Sequence, residues 1–116
     1  MFRRDIKQWF DIAYAEASAL IKSLPAPLRD RLSRISITFS GRPDKCEAVE
    51  DGDEYNLLGL FTGSPLCEGD ADFELSPEIR IFVENIRDEV NGDKTEFRHE
   101  VRTTLLHEIG HYLGLG

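Results

Sequence analysis

Residues 93–114 read DKTEFRHEVRTTLLHEIGHYLG, and most of what the chain can be follows from this stretch. Asp93 and Glu96 stand three apart, as a capping box requires, and Phe97, Val101, Leu105, Ile109 and Leu113 then recur every fourth residue. That spacing predicts an amphipathic helix from about Lys94 to Leu113. Gly114 follows the last periodic residue and suits a left-handed C-cap. Gly110 lies inside the helix, where glycine costs about 1 kcal/mol relative to alanine. Either another backbone comes close there, or the helix end tolerates it.

Upstream, Ile6, Trp9, Phe10, Ala13, Ala17, Leu20, Ile21 and Leu24 keep the three-and-four spacing of a first helix, from about Asp5 to Ser23, with Asp5 and Gln8 placed as a capping pair. Pro25 stops it. Pro27 suits the first turn of a short second helix through Leu28 and Leu32, because proline has no amide hydrogen to leave unpaired there. Ile35, Ile37 and Phe39 alternate with Ser36 and Thr38 as a strand with one buried face. Ser40 to Asn56 is rich in glycine, proline and acid; Asp44, Glu47, Glu50, Asp51, Asp53 and Glu54 lack the ligand spacing of an EF-hand and read as a solvated loop. Leu57 to Phe61, closed by Thr62-Gly63-Ser64-Pro65, fits a second strand and turn. Ile79, Ile81 and Val83, alternating with Arg80, Phe82 and Glu84, fit a clearer strand before the break at Asn91-Gly92. The order is helix, helix, two or three strands, helix. The expected class is α+β, with a small mixed sheet, two N-terminal helices and the C-terminal helix of residues 93–114. A chain of 116 residues supports one domain, taken as residues 1–116, with one core.

Hydrophobic residues at 41% and charged residues at 31% suit a globular chain rather than a disordered one. The net charge of -8 argues against nucleic acid, whose binding depends on lysine and arginine neutralising phosphates. It also opposes an anionic membrane surface, and no apolar run approaches the roughly 20 residues of a bilayer span. Behind Arg3 and Arg4, the charges of Asp5, Lys7, Asp11 and Glu16 interrupt anything like a signal peptide. Cys46 and Cys67 have neither a CxxC spacing nor a secretory context, so free thiols and a cytoplasmic location are expected.

Chemistry concentrates in His107-Glu108-Ile109-Gly110-His111. Four residues of helix put the two imidazoles about 40° apart around the axis and about 6 Å apart along it, so both can reach one ion. Zinc suits the pair, being borderline-soft and readily bound by imidazole nitrogen. Glu108 projects about 100° from His107, outside the ligand set but within reach of a water beside the metal. A carboxylate there can take the water's proton and pass it to a leaving amine while the metal acts as Lewis acid. By chance alone, His, Glu and His fall at these offsets in about a few per thousand chains of this length. His99 lies about 12 Å from His107 along the axis and reads as a solvated or core-edge histidine. Glu100 or Thr104, on the turns beneath His107, is placed either to orient a ligand imidazole or simply to meet solvent.

The run from His107 to Gly114 resembles the HExxHxxG signature of zincins. A broader similarity, to the small bacterial zincin-like metallopeptidases, rests on four further pieces. These are Ser23-Leu24-Pro25, Leu57-Leu58-Gly59-Leu60-Phe61 with Gly63 and Pro65-Leu66, Arg80-Ile81-Phe82, and Glu100 to Leu106. The resemblance implies a small α+β zinc peptidase acting on peptides or proteins, with His107 and His111 as ligands and Glu108 as general base. It also implies a third, acidic or histidine ligand at position 117, just beyond Gly116, so either the domain is truncated at its C-terminus or the ligand is supplied from elsewhere. In zincins an edge strand beside the metal helix pairs with the substrate backbone, and Ile79 to Val83 is the candidate on sequence, with a plain core strand an equally good reading of the same residues. Two other readings stand beside this one. One is a zinc-stabilised binding module without catalysis. The other is a deformylase-like hydrolase in which Cys67 completes the site. Against the latter, Cys67→Ser is expected to retain zinc by elemental mass spectrometry; loss of the metal would restore that reading.

Overall fold

The computed structural model describes residues 3–43, 57–62 and 77–114. Among these, the elements in order are α1 (Arg3–Ser23), α2 (Ala26–Leu32), β1 (Ser36–Ser40), β2 (Gly59–Thr62), β3 (Glu78–Phe82), α3 (Val83–Glu89) and α4 (Lys94–Tyr112). The class is α+β, as the periodicities predict. The acidic run from Asp44 to Glu54, the turn after Thr62 and both cysteines lie outside the described residues.

The sheet is mixed, in the order β1-β3-β2: β1 runs parallel to β3 and β2 antiparallel to it. Its register sorts the side chains. Ile37 is opposite Ile79, Phe39 and Gly59 are opposite Ile81, and Phe61 is opposite Ile79, so these residues share one face. That face meets the helices, and Ile79 and Ile81 are fully buried in it. The other face is more polar, where Thr38 donates to Glu78 at 2.9 Å and Arg80 pairs with Glu78 at 3.2 Å.

Against the apolar face lies α4, itself covered by α1. Its stripe of Phe97, Val101, Leu105 and Ile109 is buried, and Trp9, Ala13, Ala17 and Leu20 of α1 are buried with it. Trp9 meets Phe97 edge-on, ring centroids 4.7 Å apart. Arg102 and Glu16 approach to 3.7 Å across the rim of the same contact.

The start of α1 and the stretch after β3 differ from the sequence reading. α1 begins at Arg3, so Asp5 lies inside the first turn rather than at the cap. Pairing of β3 ends at Phe82, and Val83 opens α3, a helix that strand alternation concealed. Its own signal was present: Val83, Ile86 and Val90 keep helical spacing, and Phe82 and Val83 are both buried where alternation would expose one. α3 also fastens the sheet's connections. Buried Asn85 accepts from Arg42 Nη1 at 2.7 Å and donates to the Leu57 carbonyl at 2.7 Å, tying the chain after β1 to the chain before β2. Arg42 also donates to Asp88 at 2.8 Å. Burial works against the Asp88 carboxylate, but Arg42 and Arg87 outweigh it and hold its pKa below the ordinary value.

Asn91 and Gly92 then take left-handed backbone, φ 54° and 76°, to reverse the chain into α4. Asp93 caps α4 by accepting from the Glu96 amide at 3.0 Å, and Gly114, at φ 77°, follows its C-cap. Both ends match expectation. Among the described residues, no helix is long and apolar enough to cross a membrane. Phe97→Ala is expected to cost about 3–5 kcal/mol in urea unfolding, since it empties the contact between α1 and α4.

Candidate metal centre

The rotation that buries Val101, Leu105 and Ile109 decides where the polar residues of α4 point. His107 and His111 fall on the solvent side, while Glu108 turns inward and is only 7% exposed. The two imidazoles stand edge to face, centroids 4.6 Å apart, with Nε2 of His111 3.0 Å from Nε2 of His107. Two nitrogens bound to one tetrahedral zinc at 2.0–2.1 Å lie about 3.3 Å apart, so the pair fits that ion with a few tenths of an ångström of adjustment. One donor atom from each of His107, Glu108 and His111 lies within 4.8 Å of the others. No further histidine, cysteine or acid joins the group among the described residues.

Glu108 sits beneath β2. The Phe61 amide donates to its carboxylate, and Gly59 lies over its stem: a Cβ at Gly59 would be 2.6 Å from Thr104 Cγ2 and 3.3 Å from Glu108 Cγ. Burial pushes the Glu108 pKa above its ordinary value, against the opposing effects of His111, His107 and the Phe61 amide.

Of the two readings of residues 79–83, the plain core strand holds and the substrate-binding edge strand does not. Ile79 to Phe82 belongs to β3, which pairs on both sides, whereas among the described residues β2 is at the sheet's edge next to α4. The sequence pattern could not show this, because strand order depends on pairings between distant residues. Glu100 accepts from Thr104 at 3.4 Å, so the hydrogen bond of each runs to the other rather than to a histidine. His99 is exposed, as expected. Among the described residues nothing would meet a Cβ at Gly110, so no close backbone among them accounts for this glycine.

Sequence reasoning overlooked Gly59, the Phe61 amide and Tyr112. Only the short glycine-containing strand pattern hinted at the first. Tyr112, next to His111, donates from its hydroxyl to the Arg31 carbonyl at 3.1 Å. Its ring lies 5.7 Å from Phe61 and 5.9 Å from the Arg31 guanidinium carbon. One side chain thereby joins α2 and β2 to the last turn of α4. Tyr112→Phe is expected to lose about 0.5–1.5 kcal/mol of stability by denaturant titration, from the hydroxyl alone, and Tyr112→Ala more.

A search among curated proteins finds no match to this chain. The zincin-like metallopeptidase family model matches residues 32–116, from the end of α2 through the whole sheet and α4. That span covers most of the chain and includes all three residues of the candidate centre; the chain belongs to the zincin-like metallopeptidase family.

Proposed function

We propose that the protein is a zinc-dependent peptidase in which His107 and His111 hold the metal and Glu108 is the general base. The observation that carries this reading is the pairing of two solvent-facing imidazoles, Nε2 atoms 3.0 Å apart, with a buried carboxylate on the same helix turn. When bound, zinc supplies a Lewis acid that polarises a carbonyl and makes a water more acidic. Glu108 is placed to take a proton from the attacking water and deliver it to the leaving nitrogen.

Substrate is held along β2. Phe82 donates to the Leu58 carbonyl at 3.0 Å, so Leu58, Leu60 and Thr62 direct their backbone groups toward β3. By the antiparallel pattern, Gly59 and Phe61 direct theirs to the opposite side, where no strand pairs with them among the described residues. Glu108 takes the Phe61 amide, and both backbone groups of Gly59 and the Phe61 carbonyl are left for an extended peptide to pair with.

The test begins with zinc content. One equivalent per chain is expected, and His107→Ala or His111→Ala should abolish it. Glu108→Gln should keep the zinc while turnover on a quenched-fluorescent peptide library falls at least about a hundredfold. Full zinc with no cleavage of any library member by the unmodified protein would favour the binding module instead.

A further inference from the structure

Glu108 differs from the two histidines in being enclosed, and the enclosure has an identifiable maker. Strand β2 crosses α4 at Gly59, where the bare Cα leaves room for Thr104 Cγ2 and Glu108 Cγ. Two residues on, the Phe61 amide lies on the edge of β2 that faces away from β3 and meets the Glu108 carboxylate. The two contacts are separated by a single residue of one strand, so the closeness allowed at Gly59 sets the reach at Phe61.

We infer that Gly59 is a positioning residue for Glu108: its missing side chain lets β2 close onto α4 so that the Phe61 amide seats the carboxylate. Glu108 can rotate about its side-chain bonds, and one charge-assisted hydrogen bond from a fixed backbone donor limits that freedom more than burial alone does. A methyl group at position 59 lifts the strand, withdraws the donor and leaves the carboxylate without its partner. Thr104 is the complementary surface. Its Cγ2 is the nearest atom to the absent Cβ, whereas its Oγ1, which donates to Glu100, points elsewhere. Removing that methyl makes room for the one added at position 59. The inference rests on the peptidase reading only for its catalytic consequence.

The experiment compares the zinc-loaded full chain with Gly59→Ala, Thr104→Ser and the double variant. Amide hydrogen exchange is followed at Phe61 and, as an internal reference, at Phe82, whose amide is bonded to the Leu58 carbonyl in the adjoining ladder. In Gly59→Ala, exchange at Phe61 relative to Phe82 is expected to rise about ten- to hundredfold, the value of one hydrogen bond to a charged acceptor. Zinc affinity, measured by competition with a chromogenic chelator, should stay unchanged. On the best library peptide, kcat should fall about tenfold or more with KM little altered, and Thr104→Ser in the same chain should restore both exchange and kcat. Equal acceleration at Phe61 and Phe82, or loss of kcat that Thr104→Ser fails to repair, would make Gly59 a packing residue and overturn the inference. If Gly59→Ala does not fold, the double variant decides: a folded double variant with slow Phe61 exchange supports the seat, and an unfolded one overturns it. If the unmodified protein binds zinc but cleaves nothing, the peptidase reading fails, while the exchange data still judge the seat.

Discussion

Burial of Phe97, Val101, Leu105 and Ile109 between the sheet and α1 sets the rotation of α4 about its own axis, and the candidate centre is a consequence of that rotation. Each large apolar side chain taken from water contributes about 1.5–3 kcal/mol, so turning the helix by one residue would expose several at once. With the rotation held, His107 and His111 must face solvent and Glu108 must face β2. The chemistry divides the same way. The exposed imidazoles are open to an ion from solution, and the enclosed carboxylate is kept apart from bulk water, with its pKa raised by burial.

The sheet supplies what the helix cannot. A helix residue has neighbours only along its own face, so a backbone donor for Glu108 has to come from another element, and β2 brings the Phe61 amide. β2 is itself short and at an edge, and its place is secured from several directions. β3 pairs with it, Asn85 of α3 holds the preceding Leu57 carbonyl, and Tyr112 packs against Phe61 while bonding to Arg31. Residues from α2, α3 and α4 thus converge on a four-residue strand. The buried polar groups in this arrangement are satisfied: Asn85 finds both a donor and an acceptor, and no described buried side-chain nitrogen or oxygen is left without a partner.

The sequence by itself determined the elements whose signals are local: the capped helix from Asp93, the strand alternation around Ile37 and Ile79, the break at Asn91-Gly92, the left-handed C-cap at Gly114, and the two histidines on one helix face. These depend on spacing, capping and backbone freedom within a few residues, and such preferences act before any distant contact forms. α3 escaped notice because Val83 and Ile86 continue an apolar pattern that begins in a strand, and the change of period has no breaker to mark it. Only the tertiary structure decided that β3 is central, that β2 is the edge of the described sheet against the helix of the candidate centre, and that Gly59 and the Phe61 amide enclose Glu108. Those facts depend on pairings across some twenty to fifty residues of chain, which the burial of the two faces of the sheet selects and which no local pattern encodes.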